Sequence, residues 1–126
     1  MSKTNDGRFF EDFRVGETLV HPTPRTVTSA DATLYLALTG NRYAQFCCDD
    51  FARRNGLAQA PLDDILTFHL VFGKSVPDVS LNAVANLGYA EGRFYGPVYP
   101  GETLYGRSEV IGVRANSNGK TGTVWV

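Results

Sequence analysis

From Ile65 to Phe72 the chain reads Ile, Leu, Thr, Phe, His, Leu, Val, Phe, a run with almost no polar face. A helix that is apolar all round must be surrounded by other structure, and in so short a chain a curved sheet wrapped about it meets that need. Pro61 suits the first turn of this helix, because its missing N–H has no partner there. Asp63 and Asp64 favour the same end through the helix dipole. The sheet is predicted over 82–94, 103–114 and 120–126. Asn118 and Gly119 mark a hairpin between the last two runs, and Pro97, Pro100 and Gly101 mark the turn between the first two. Apolar alternation shifts from Leu104 and Val110 to Ile111 and Val113, which predicts a bulge near Gly112.

The front of the chain reads as a polar turn (12–16), a short strand (17–21), breakers at Pro22 and Pro24, and a second extended piece (25–28). Thr28 with Asp31 three residues on predicts a capped helix start, with Ala30, Leu34, Ala37 and Leu38 on its packed face and Gly40 at its end. Asp49 is placed as the cap of a short helix running to Asn55 and stopped by Gly56. The tetrapeptide Gly-Glu-Thr-Leu occurs at 16–19 and again at 101–104, each time at a turn entering a strand, and is read as turn chemistry. The expected fold class is α+β: an antiparallel sheet around one central buried helix, forming a single domain over 1–126. The apolar run Thr123 to Val126 reads as a strand cut short, so the last strand or strands are expected to be missing and an edge to be left open.

Composition narrows the function. The 126 residues are 43% hydrophobic and 20% charged, with twelve basic against thirteen acidic side chains. These are the proportions of an ordinary globular chain. No basic stripe tracks a phosphate backbone, so nucleic acid is not an expected partner. Met1 to Phe10 contains no apolar leader core and no run reaches membrane-spanning length, so a cytoplasmic protein without membrane partners is expected. Cys47 and Cys48 are adjacent and match no zinc or redox spacing; they are read as buried or half-buried free thiols. His21 and His69 lie far apart with no ligand spacing around them, and no metal is expected.

Two segments carry a family resemblance. Residues 8–17 (Arg-Phe-Phe-Glu-Asp-Phe-Arg-Val-Gly-Glu) and 93–104 (Arg-Phe-Tyr-Gly-Pro-Val-Tyr-Pro-Gly-Glu-Thr-Leu) are similar, in the right order, to the signatures of MaoC-like dehydratases. Residues 23–28, 60–64 and 72–90 sharpen the resemblance to a branch of that family whose polypeptide carries two halves and which hydrates a branched, dicarboxylic enoyl-CoA. The resemblance implies a hot-dog fold, an acyl-CoA thioester as substrate with no other cofactor, and a second hot-dog half as partner, in cis or in trans, in a dimer or other homo- or hetero-oligomer.

It also implies where the chemistry would sit. Hydration of an enoyl thioester needs a base to activate water, an acid to protonate the alpha carbon, and donors for the enolate oxygen. The family places an Asp, and a His five residues later, in one loop. The matching stretch here is Gly40 to Phe46, with Asn41 in the Asp position and Phe46 in the His position. An amide holds a water but cannot take its proton, and a phenyl ring does neither. The helix-start His-Gly of the family is replaced by Pro61-Leu62. No catalytic residue is therefore assigned to this chain, and Arg42, Tyr43, Pro61, Leu62 and Asp63 are the substrate-binding candidates.

Blander readings stand beside these. His69, with Asp64 before it on the helix, is a structural hydrogen-bonded histidine in preference to a relocated base. Asp63 and Asp64 suit helix capping, and surface placement suits Arg42 and Tyr43. Gly119-Lys120-Thr121 resembles a phosphate-loop ending but lies in a hairpin. Phe68, Phe72, Tyr89, Phe94, Tyr95 and Tyr99 fill a core or line an acyl pocket. The functional alternatives to a non-catalytic hydratase half are a hot-dog thioesterase using Asp63 or Asp64, and a non-enzymatic acyl-binding or structural subunit.

Overall fold

A computed structural model describes residues 6–126. The leader reading of the opening residues falls in part on 1–5, outside that range. In chain order the elements are a single 3-10 turn (Phe10–Asp12), β1 (Thr18–Thr26), α1 (Ser29–Thr39), α2 (Ala44–Cys47), α3 (Asp49–Arg54), α4 (Asp64–Ser75), a π-helical turn (Val76–Ser80), β2 (Thr103–Glu109), β3 (Gly112–Ala115) and β4 (Gly122–Trp125).

The strands form two pairs, β1 with β2 and β3 with β4. Val27 N–H donates to Glu102 O (2.9 Å) and Val27 O accepts from Gly101 N–H (2.8 Å), while Val110 N–H donates to Glu17 O (2.9 Å), so β1 and β2 run antiparallel. Pro22 and Pro24 do not break β1, which continues to Thr26. Because Val27 turns both backbone groups toward β2, the even positions of β1 face the other edge, where a missing N–H costs no ladder bond. Gly16 (φ 86°) and Gly101 (φ 97°) take the left-handed conformation at the turns leading into β1 and β2, which is the shared chemistry of the repeated tetrapeptide.

Val110 bonds to Gly16 and Glu17, and the next residue, Ile111, donates to Trp125 O (2.9 Å). One run of chain thus serves β1 on one side and β4 on the other. The expected bulge lies here: the Asn116 N–H to Thr121 O bond makes Gly112 and Trp125 a bonded pair in the register of the hairpin, and Ile111 N–H also reaches Trp125 O, so two residues oppose one. The core-facing positions are even-numbered through Leu104, Gly106, Ser108 and Val110, and odd-numbered beyond, since Val113 pairs with Val124, which packs on the Val110 cluster, while Gly112 and Arg114 share the face of Trp125. The hairpin of β3 and β4 pairs Gly112 with Trp125 and Ala115 with Gly122. Asn116 N–H donates to Thr121 O across its loop, in which Gly119 has φ 64°.

Two compact units share the chain. One holds the described residues up to Thr23, then Phe72–Gly88 and Tyr105–Val126; its core is Phe13, Leu19 and Val110, with Val79 and Val124 packed against them. The other holds Pro24–Val71 and Tyr89–Leu104, with Val27, Ala52, Pro61 and Leu62 fully buried.

Several expectations are corrected. Residues 82–94 form no strand: they make no ladder among the described residues, and Val84 is 91% exposed. Without that wall α4 is half-buried and not enclosed, since Ile65 (48% exposed), His69 and Gly73 form an open stripe four residues apart. On α1, Thr28 Oγ1 accepts from Asp31 N–H and the Asp31 carboxylate accepts from Thr28 N–H, as expected, and Gly40 (φ 65°) ends the helix. Its packed face, however, is Asp31, Ala32, Tyr35 and Leu36, while Leu34 and Leu38 are exposed. The helix carries apolar residues on two sides, and sequence spacing selected the open one. Asp49 lies inside the first turn of α3, behind a Cys48 cap, and Cys47 and Cys48 are exposed because they sit at the junction of α2 and α3.

Candidate functional site

The start of α4 gathers most of the chemistry, and every contact described there lies within the unit of residues 24–71 and 89–104. Pro61 does not open the helix. It precedes a buried cap, Asp63, whose Oδ1 accepts from Ile65 N–H (2.8 Å) and Leu66 N–H (3.4 Å). Two of the four otherwise unpaired donors of the first turn are thereby satisfied. Leu62 N–H donates to Val98 O (2.7 Å) and Ala60 N–H to the Asp49 carboxylate (2.9 Å), which tether the approach to the helix.

The second oxygen of Asp63 accepts from Asn41 Nδ2 (2.5 Å), and Asn41 Oδ1 accepts from Tyr43 N–H (2.9 Å). Asn41 therefore closes an Asx-type turn in its own loop and ties that loop to the helix cap. A carboxylate at position 41 would face another carboxylate, and the pair would have to share a proton. The amide removes that conflict and, with it, the base.

Asp64 projects differently. Together with Gln45, Leu57, Pro61, Phe94, Tyr95, Gly96 and Pro97 it lines an open cleft of about 200 Å³. Burial, and then the neighbouring Asp63 charge, hold its carboxyl above the ordinary value of 3.8. Tyr35 on α1 also senses Asp63: burial first and that charge second raise its phenol. No cationic side chain among the described residues lines the cleft.

The predicted residues separate accordingly. Pro61 lines the cleft, Leu62 is buried behind it, and Asp63 is the cap. Arg42 and Tyr43 are exposed on the loop, Tyr43 with its ring 5.6 Å from that of Phe46. His69 is exposed, with its ring 5.7 Å from that of Phe68 and no side-chain hydrogen bond among the described residues, so the reading as a hydrogen-bonded structural histidine fails for it. Phe94 and Tyr95 line the cleft, Tyr99 Oη accepts from Ala58 N–H (3.4 Å), and Phe68 meets Tyr89 edge to face at 5.3 Å. Sequence reasoning missed Gln45 and Tyr35; the partner of Tyr35, Asp63, lies 28 positions away, beyond any local spacing rule. No group of three or more potential metal ligands exists among the described residues, and no helix among them is long and apolar enough to cross a membrane.

Residues 11–126 match the family described as MaoC like domain. The chain is 60% identical over 124 residues to a mesaconyl-CoA hydratase of Cereibacter sphaeroides, covering 98% of this chain and 36% of that protein. It is 59% identical over 125 residues to a beta-methylmalyl-CoA dehydratase of Chloroflexus aurantiacus, again 36% of that protein. The chain thus spans about a third of the length of the curated relatives it matches. A solved structure of a MaoC domain protein dehydratase from Chloroflexus aurantiacus superposes with a TM-score of 0.94 at 59% identity, over 98% of this chain and 35% of that one. A Mycobacterium tuberculosis protein described as having a double hotdog fold superposes at 0.80 with 28% identity, over 88% of this chain and 34% of that one. The fold is the hot-dog fold, with α4 as its central helix.

Proposed function

The chain belongs to the MaoC-like domain family, and from that premise we propose that it is the amino-terminal, non-catalytic hot-dog half of a hydratase that adds water to mesaconyl-CoA or a similarly branched enoyl-CoA. The observation that carries the reading is the Asn41 side chain, committed to Asp63 and to Tyr43 N–H where a proton acceptor would be required. With Phe46 in the second position, this loop has no group that can deprotonate water. The acid and base then come from a second hot-dog half, and this half shapes the acyl site through the cleft beside Asp64.

The open surfaces fit such a mate. The 82–95 segment forms no helix or strand and carries exposed Val84, Leu87, Tyr89, Phe94 and Tyr95, and α1 exposes Leu34 and Leu38. An exposed apolar segment without a ladder of its own offers contact surface to a partner. The test is reconstitution. The purified chain alone hydrates no mesaconyl-CoA, and addition of the second half of a relative restores absorbance change at the enoyl thioester band. Robust hydration by the chain alone overturns the division of labour.

One observation favours a second reading, thioester hydrolysis: Asp64 is a carboxyl of raised pKa in a cleft at the helix start. Release of free thiol from acyl-CoA, abolished in Asp64→Asn, would select it over hydration.

A further inference from the structure

The unit that holds residues 18–23 of β1 also contains a buried polar cluster with no part in the cleft. His21 on β1 has a side chain only 2% exposed; its Nδ1 lies 2.8 Å from Asp78 Oδ2, and its Nε2 lies 2.9 Å from Ser108 Oγ on β2. We propose that His21, Asp78 and Ser108 form a positioning network that pins the π-helical turn Val76–Ser80 to the strand pair and so sets the point at which the exposed segment after Leu81 departs. Its consequence for partner pairing rests on the reading above; the pin itself does not.

The chemistry fixes the tautomer. An ionised carboxylate only accepts, so Nδ1 carries the proton toward Asp78, and in the neutral ring Nε2 accepts from the Ser108 hydroxyl. A doubly protonated ring donates to both, and the serine oxygen has lone pairs to receive it. Both partners stay satisfied in either state, as suits a fastener more than a switch.

Three further features point the same way. A π-turn is rare and is retained where a helix must redirect a side chain; here it carries Asp78 toward the ring and Val79 into the core of Phe13, Leu19 and Val110. Gly106 leaves room for the ring, because a Cβ there would lie 3.3 Å from His21 Cδ2 and 3.6 Å from the Lys74 stem. Downstream, Asn82 Nδ2 donates to Asp6 O (3.1 Å) and Ala83 N–H to Ser80 O (3.0 Å), after which Val84 and Leu87 are exposed. The order of connectivity is also that of a serine nucleophile relay. No cleft among the described residues is lined by Ser108, however, so the geometry supports a fastener and no nucleophile.

The experiment is amide exchange over 76–88 in the chain as it stands, with imidazole nitrogen NMR on His21. The wild type should show a Nδ1-bound proton that exchanges slowly and a protected 76–80 turn. His21→Phe, which keeps ring volume without the bonds, should speed exchange across 76–88 by about tenfold or more. His21→Asn, whose amide can still donate to Asp78, should recover most of the protection. If His21→Phe fails to fold, Asp78→Asn and Ser108→Ala take its place, the first with the larger effect. Unchanged exchange in folded variants overturns the pin, as does labelling of Ser108 by a fluorophosphonate probe. A protected turn in a chain that nevertheless ignores the second half upholds the pin and defeats the hydratase-half reading.

Discussion

Replacing Asp63 by alanine should be among the most damaging single changes at the start of α4. The side chain caps the helix through Ile65 and Leu66 N–H and receives the Asn41 amide. Loss of a capping side chain costs about 1 kcal/mol. Loss of a hydrogen bond to a charged group, leaving the Asn41 amide partly unpaired, adds roughly 2 kcal/mol. Together about 3 kcal/mol should disappear, a fall in midpoint temperature on the order of 10 °C. Asparagine caps nearly as well as aspartate and can still meet the Asn41 amide, so Asp63→Asn should cost about 1 kcal/mol or less. Urea titration with unchanged slope measures both variants. An alanine variant within about 0.5 kcal/mol of the parent refutes the capping argument. An asparagine variant that keeps stability but loses all activity in the reconstituted enzyme would instead make Asp63 a chemical residue.

Asp64 has a folded pKa raised above its ordinary value, chiefly by burial, so the native state holds its proton more tightly and stability declines as pH climbs from about 3.8 through that higher value. Asp64→Asn should flatten this decline in a pH series of urea midpoints; an equally steep decline in the variant refutes it. Asp31 titrates oppositely, lowered first by the Thr28 backbone N–H. Its contribution is present above about 3.8 and fades as pH falls through the lower folded value, and Asp31→Asn should erase that acid limb while leaving neutral stability only slightly reduced. A Cβ at Gly122 would collide with the Phe10 ring, so Gly122→Ala should cost about 1–3 kcal/mol, and pairing it with Phe10→Ala should cost less than the sum of the two single changes. Additive losses in that double-mutant cycle would show that the two residues do not meet.

Local signals in the sequence were read well. The Thr28 and Asp31 cap, the Gly40 stop and the Gly16 and Gly101 turns each rest on residues a few positions apart, and their geometry is set by short-range sterics and hydrogen bonds. Long-range partners were not legible. His21 finds Asp78 and Ser108 at separations of 57 and 87 residues, and no spacing rule reaches that far. The packed face of α1 was misassigned because Leu34 and Leu38 satisfy helical periodicity as well as Ala32, Tyr35 and Leu36 do, and only tertiary packing chooses between them. The 82–94 run has strand-like residues, but a strand exists only where another edge supplies its bonds. At the site, the Asn41 and Phe46 substitutions are visible by resemblance, whereas the Asn41 to Asp63 tie spans 22 residues and the cleft position of Asp64 depends on tertiary packing.

The handover at Val110 and Ile111, one bonded toward β1 and the next toward β4, makes this stretch intolerant of changes in length. Insertion or deletion of a single codon there would invert the facing of every residue after it relative to those before, sending Val124 outward and Trp125 toward the Phe13 cluster, or else would forfeit one of the two pairings. Exchange of one residue for another can be absorbed at that junction; a change of count cannot.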